Sequence, residues 1–236
     1  MQYGLFGKLP ARRDFIAHAV PRSFLRFWET WLEKSMSESR AKLGAGAWEE
    51  TFRSAPIWRF WLGADVCGQA ILGAFMPSMD AVGRYFPLTL IAMPDGDVVR
   101  PPNVDPRHAW FEKIEDILLS ALAPDTSLDT VLEEIGNLKN AGAEVAHEPV
   151  AEPKFGTPLN DRPALPLAEL FAVCRLAYQD CSVAATTFWW TAGGEGFRPV
   201  GLMRKHFPET RVFTDMLTGH FDPRGAETIA IGVKPL

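Results

Sequence analysis

The chain has 236 residues, of which 47% are hydrophobic and 22% are charged, a balance typical of a globular protein with one large domain. Its formal net charge of -5 makes a nucleic acid a poor candidate for a partner, because phosphate backbones are repelled on average. No apolar run reaches about 18 residues, so we expect no transmembrane helix and no insertion into a membrane.

The first ten residues lack the basic, apolar and small-residue order of a secretory signal peptide. The three cysteines are Cys67, Cys174 and Cys181, and an odd number without a close pair does not indicate a disulfide framework. Together these observations predict a cytoplasmic protein.

Helices are predicted from apolar residues at helical spacing and from capping signals. Pro21 suits the first position of a helix, Asp105 and Ser127 suit N-caps, and Gly136 suits a helix end. The predicted helices span about 21–40, 46–54, 106–121, 128–135, 166–178 and 208–218.

Strands are predicted at about 2–8, 57–62, 69–76, 86–93, 184–191 and 199–203, and the tail at about 228–233 can add an edge strand. Residues 9–20 are predicted to be a loop. The segment 86–93 is almost continuously apolar, which indicates a strand buried on both faces. Trp189 and Trp190 are adjacent in a strand, so they should face opposite sides of the sheet.

Because the strands arrive in runs, we predict an α+β fold with a mainly antiparallel sheet flanked by helices. Residues 139–163 are rich in Pro, Ala, Gly and Glu and lack apolar periodicity, which predicts an exposed, mobile connection. The part after it is too small to need its own core, so residues 1–236 are predicted to be one domain.

No motif indicates catalysis, a metal ion or a cofactor, and we predict that the chain is not an enzyme. The segment 4–8 resembles half of a phosphate-binding loop, but its glycine spacing is too short and Pro10 interrupts it. None of the five histidines lies within four residues of another His or Cys, as zinc ligands usually do. The alternative is an enzyme whose site is assembled from distant residues, such as Asp14, Asp80 and a histidine.

Two polar clusters are not explained by composition, and we name them the first loop (residues 7–15) and the second loop (residues 76–88). Each combines turn residues, opposite charges and aromatic residues. One interpretation is that Lys8, Asp14, Asp80 and Arg84 form internal ion pairs that hold the loops. The other is that the loops bind a partner, since loops carry function disproportionately.

The two loops resemble motifs of the TagF (ImpM) family, which is associated with bacterial type VI secretion. The first reads Gly7-Lys8-Leu9-Pro10-Ala11-Arg12-Arg13-Asp14-Phe15, and the second contains Pro77-Ser78-Met79-Asp80 and Gly83-Arg84-Tyr85-Phe86-Pro87-Leu88. The stretches at 27–32 and 57–60 also resemble the family. Arg13 stands where the family often has Gly, so a backbone with positive φ at this position would be strained.

The resemblance implies a post-translational repressor of type VI secretion that binds and sequesters the forkhead-associated (Fha) scaffold protein. It also implies a longin-like or roadblock-like fold. The alternatives are a longin-like module that binds a small GTPase or assembles a complex, and a structural part of the secretion machine. The predicted protein-binding residues are Lys8, Pro10, Arg12, Arg13, Asp14, Ser78, Asp80, Arg84 and Tyr85.

Overall fold

The computed structural model describes residues 1–96, 98–140, 182–221 and 231–232. The predicted helix at 166–178 and all but the first two residues of the predicted connection at 139–163 lie outside these ranges. The single-domain organisation of the chain therefore stays a prediction.

The described strands form one antiparallel sheet with the order β2-β1-β5-β4-β3-β6-β7-β8. The strands are β1 (Gln2–Gly7), β2 (Ile16–His18), β3 (Trp58–Leu62), β4 (Ile71–Met76), β5 (Leu88–Met93), β6 (Thr186–Thr191), β7 (Val200–Lys205) and β8 (Ile231–Gly232). The prediction of an α+β fold with antiparallel pairing is confirmed. Strand β2 lies in the segment that was predicted to be a loop, because three residues are too few to give an alternating pattern.

The helices in the described ranges are α1 (Arg22–Leu43), α2 (Ala45–Ser54), α3 (Ala64–Cys67), α4 (His108–Ser120), α5 (Leu128–Asn140) and α6 (Thr210–Thr218). Ser127 caps α5 as predicted, since its hydroxyl accepts a hydrogen bond from the backbone N–H of Thr130 at 3.1 Å.

Two predicted helix boundaries were wrong. Asp105 does not cap α4, whose N-cap is Arg107; the carboxylate of Asp105 instead accepts a hydrogen bond from the Arg107 guanidinium at 2.7 Å. Gly136 does not end α5, which continues to Asn140. An interior glycine costs only about 1 kcal/mol in a helix, and the packing of Leu138 against the core can offset that cost.

Helices cover both faces of the sheet, so the central strands are buried on both sides. One face packs against α4 and α5, and the other packs against α1, α2 and α6. Every residue of β5 is buried, as its continuous apolar run predicted. The adjacent Trp189 and Trp190 lie in opposite core layers, which confirms the prediction for this pair.

The layer under α1 is built largely from aromatic rings. Trp28 of α1 stacks on Trp189 of β6, with ring centroids 5.9 Å apart and planes inclined by 3°. A buried indole N–H needs an acceptor, and that of Trp28 donates to the Thr89 hydroxyl at 3.0 Å. This hydrogen bond allows the Trp28 indole to be buried without leaving its N–H unsatisfied.

On the other face of the sheet, which α4 covers, a buried ion pair joins this helix to β3. The guanidinium of Arg59 in β3 donates to both carboxylate oxygens of Glu115, at 2.6 and 2.8 Å. The side chain of Arg59 is 4% exposed and that of Glu115 is 18% exposed, so solvent screens this pair weakly.

Replacing one partner of this pair should destabilise the protein, because it leaves a buried charge uncompensated. We expect Glu115→Ala to lower the free energy of unfolding by about 3 kcal/mol, measured by urea denaturation. The exposed Glu112 lies on the same helix, so Glu112→Ala is the matched control and should change stability by less than about 0.5 kcal/mol. The double variant Arg59→Met/Glu115→Leu should recover most of the loss; an equal loss in all three variants would contradict the argument.

Candidate functional site

The sheet topology brings the first and second loops together at one end of the sheet. The first loop follows β1, and the second loop connects β4 to β5. Because β5 pairs with both β1 and β4, the end of β1 and the end of β4 both lie beside the start of β5. Gly7 permits this close approach, since a Cβ atom there would lie 2.0 Å from the Pro87 carbonyl oxygen.

The buried carboxylate of Asp80 lies at the centre of the two loops. Its Oδ2 accepts hydrogen bonds from Lys8 Nζ at 2.9 Å and from Arg84 Nε at 2.7 Å. Its Oδ1 accepts hydrogen bonds from the backbone N–H groups of Val82 at 3.1 Å and Arg84 at 2.9 Å. Four donors thus surround the carboxylate, which satisfies its acceptor positions.

Further hydrogen bonds cross from one loop to the other. The Ser78 hydroxyl donates to the Lys8 carbonyl at 2.8 Å, and the Ala81 N–H donates to the Arg12 carbonyl at 2.8 Å. Arg84 Nη2 donates to the Arg13 carbonyl at 2.7 Å. Arg84 therefore reaches both Asp80 and the first loop with one guanidinium group.

The surroundings of Asp80 shift the pKa of its carboxyl group from the ordinary value. Burial by itself raises the pKa of this carboxyl, because desolvation disfavours the charged form. The hydrogen bonds from the Arg84 amide, the Lys8 ammonium, the Arg84 guanidinium and the Val82 amide lower the pKa and outweigh burial. The pKa of Asp80 is consequently well below its ordinary value, and the group is ionised at neutral pH.

The nine predicted protein-binding residues separate into a buried and an exposed group. Lys8, Ser78 and Asp80 are buried, so they hold the loops and are not accessible to a partner. The interpretation as internal ion pairs is thus correct for Lys8, Asp80 and Arg84, whereas no ion pair joins Asp14 to another described residue.

The accessible group lies on the outer side of the same loops. The residues Arg12, Arg13, Asp14 and Arg84 are exposed, and Pro10 is half-buried. Tyr85 is also half-buried, because its ring packs against those of Trp48 and Phe52 in α2.

Two exposed apolar residues of the loops were missed as candidates. Phe15 is 50% exposed and Val82 is 55% exposed. The ring of Phe15 makes an edge contact with that of Phe86 at 4.8 Å, and Lys8 Nζ lies 5.0 Å from its centroid. Phe15 ends the first motif, so its position next to the charged cluster was the signal that could have identified it.

Arg13 fits its loop without left-handed backbone strain. The non-glycine residues with positive φ in the described ranges are Ala19, Arg107 and His206. Arg13 is not one of them, so the presence of Arg where the family often has Gly requires no strained conformation at this position.

The described residues include neither a candidate metal site nor a helix that could span a membrane. No group of three His, Cys, Asp or Glu side chains there could hold a metal ion. None of the described helices combines the length and apolar character needed to cross a bilayer. Two small clefts are lined by neither Asp14 nor Asp80. One lies beside Phe213 and borders the second loop at Pro77 and Pro87, and the other lies beside Trp61 and Arg100.

Comparisons with known proteins agree with the motifs. Residues 4–138 match the family model described as TagF N-terminal domain, Type VI secretion system-associated. A similar solved structure is that of PA0076 from Pseudomonas aeruginosa PAO1, with 30% sequence identity and a TM-score of 0.66. The alignment covers 94% of this chain and 96% of that chain. A comparison with curated proteins finds no match.

Neutralising Asp80 should destabilise the protein, because Asp80→Asn removes the charge that compensates the buried Lys8 ammonium. We expect a loss of roughly 3–5 kcal/mol in the free energy of unfolding, measured by urea denaturation at pH 7. Asp14→Asn makes the same chemical change at an exposed position of the first loop and should alter stability by less than about 0.5 kcal/mol. Equal effects of the two substitutions would contradict a central role for Asp80.

The stabilising effect of Asp80 should depend on pH. Because the folded-state pKa is depressed, the contribution is fully present above the unfolded pKa of about 3.9 and is lost as pH falls toward the folded value. The difference in unfolding free energy between the wild type and Asp80→Asn should therefore be constant from pH 8 to pH 5 and shrink below about pH 4. A difference that stays constant down to about pH 3 would show that the ionised carboxylate is not responsible.

Proposed function

The chain belongs to the TagF family of proteins associated with type VI secretion, and we propose that it is a cytoplasmic, non-enzymatic repressor of that system. In this proposal it acts after translation by binding the forkhead-associated (Fha) scaffold protein and keeping it from its other partners. The family resemblance supplies the identity of the scaffold.

The observation that carries the proposal is the way in which the Asp80 carboxylate is used. Four donors engage its two oxygens, and its pKa is well below the ordinary value. A general base works best with a pKa near the operating pH and with a free lone pair, so Asp80 is poorly suited to proton transfer. It is well suited to holding two loops in one conformation, which supports a recognition role.

The loops that Asp80 holds present an exposed group of side chains. Arginine and aromatic residues are common among the residues that contribute most to binding energy in protein interfaces, and Arg12, Arg13, Arg84 and Phe15 are exposed here. Because the loops are cross-linked, little conformational entropy remains to be lost when a partner binds.

Sequestration makes repression depend on occupancy and not on turnover. The free scaffold falls as the repressor concentration exceeds the dissociation constant, by ordinary mass action. Repression should therefore follow the ratio of this protein to the scaffold, and added scaffold should restore secretion.

The proposal is tested by capturing the scaffold and measuring secretion in the same cells. We expect the tagged wild-type chain to recover the Fha scaffold and its overproduction to reduce secretion. The double variant Arg12→Glu/Arg13→Glu should lose both effects by roughly tenfold or more, because it reverses two exposed charges of the first loop. Only backbone groups of these residues take part in the loop hydrogen bonds of the described residues, so the fold should be kept.

The matched control reverses two charges on other surfaces. Lys34 lies on α1 and Lys113 on α4, and both are exposed, so Lys34→Glu/Lys113→Glu should capture scaffold and repress secretion as the wild type does. Failure of the wild type to recover the scaffold, or unchanged secretion at every expression level, would refute the proposal. Recovery with the assembled apparatus in place of free scaffold would support a structural part of the machine instead.

A further inference from the structure

We propose that the outer side of the two loops binds an acidic protein segment in which carboxylate side chains flank an apolar residue. We call this outer side the tip surface and define it by five exposed residues, Arg12, Arg13, Phe15, Val82 and Arg84. The inference rests on the proposed function, in that a protein partner contacts these loops, and it adds the chemistry of the segment that is recognised.

The charge of the tip surface is opposite to that of the chain. Its three arginines are exposed, while the buried charges of Lys8 and Asp80 compensate each other at 2.9 Å. Asp14 is the exposed carboxylate of the first loop, so the tip carries a local positive excess on a chain with a net charge of -5. An acidic segment would be attracted to the tip and repelled on average by the rest of the protein.

The apolar residues of the tip favour a protein segment over a nucleic acid. Phe15 and Val82 are each about half exposed, and they are large enough to pack against a partner's apolar side chain. Nucleic-acid binding draws most of its affinity from many cation–phosphate contacts, and three arginines on an acidic chain supply few of them. The combination of charge and exposed apolar surface therefore fits a mixed acidic and apolar peptide.

Arg84 is already ordered for binding. Its Nε donates to the Asp80 carboxylate and its Nη2 donates to the Arg13 carbonyl, yet its side chain is 61% exposed. Its Nη1 makes no hydrogen bond to a described residue, which leaves donors available to a carboxylate. A guanidinium held in this way loses little side-chain entropy on binding.

Asp14 restricts which acidic segment fits the tip. It is exposed in the first loop and forms no ion pair with a described residue. A carboxylate at this position repels dense negative charge, so a phosphorylated side chain or an unbroken acidic run should be disfavoured. A segment in which an apolar residue separates the carboxylates has a lower local charge density, so Asp14 should repel it less.

The test uses the full chain and fluorescein-labelled peptides, with binding measured by fluorescence anisotropy at low salt. The acidic probe is Gly-Glu-Asp-Phe-Asp-Glu-Gly, and the matched neutral probe is Gly-Gln-Asn-Phe-Asn-Gln-Gly. We expect the neutral probe to bind at least about tenfold more weakly, and Arg12→Glu/Arg13→Glu to weaken the acidic probe by a similar factor. Lys34→Glu/Lys113→Glu should bind the acidic probe as the wild type does.

Two further measurements separate the charged from the apolar contribution. Added salt should weaken the acidic probe, because exposed charges are screened within about 10 Å at 0.1 M. Phe15→Ser/Val82→Ser should weaken binding by roughly threefold or more while leaving the salt dependence intact. Circular dichroism and thermal unfolding of each variant establish that it is folded.

Several results would overturn the inference. One is equal binding of the acidic and neutral probes, and another is no binding of the acidic probe up to about 1 mM. A third is unchanged binding of the acidic probe by folded Arg12→Glu/Arg13→Glu. Tighter binding of a peptide with phosphothreonine in place of the central residue would reassign the surface to phosphopeptides.

Two outcomes distinguish binding at the tip surface from repression through the Fha scaffold. If the acidic probe binds at the tip but the Fha scaffold is not captured, the chemistry of the segment stands and the identity of the partner falls. If the scaffold is captured by the wild type and by Arg12→Glu/Arg13→Glu alike, the tip surface is wrong and the repressor role stands.

Discussion

The carboxylate of Asp80 is a charge removed from water, and the conformation of the two loops depends on how that charge is compensated. An unpaired buried carboxylate would be strongly destabilising, so the lysine, the arginine and two backbone amides must converge on it. Their convergence fixes the position of Lys8 relative to the second loop and the rotamer of Arg84. The backbone of the first loop is then held by the Arg84 guanidinium and the Ala81 amide.

The sheet explains why the loops are the place where recognition can occur. Helices cover both faces of its central strands, so in the described part of the molecule those faces are core and offer no open surface. The loops at the strand ends, in contrast, meet solvent, and exposed loops are where binding residues are most often found. At the end formed by β1, β4 and β5, the buried ion pairs and the exposed arginines lie within one connected network.

This arrangement divides the residues of the two motifs between two roles. Lys8, Ser78 and Asp80 are buried and act on the conformation of the loops. Arg12 and Arg13, in contrast, hold the loops through backbone groups and expose their side chains. Arg84 belongs to both groups, since it is an internal anchor and is also exposed. A change at Arg84 would therefore alter structure and recognition together, and Arg12 and Arg13 are the positions at which the two can be separated.

The sequence by itself determined the class of fold, most of the elements and the two motifs. The apolar run at β5 and the adjacent Trp189 and Trp190 predicted burial on both sides because side chains alternate along a strand, a rule that needs no tertiary information. The sequence did not determine β2, because its three residues are held by pairing with β1. It also did not determine the continuation of α5 beyond Gly136, where tertiary packing can offset the cost of the glycine. Only the tertiary structure decided which motif residues are buried and which are exposed. That distinction depends on the strand order, which places β5 between β1 and β4. The ion pair of Lys8 with Asp80 joins residues that are distant in sequence, so it has no local sequence signature.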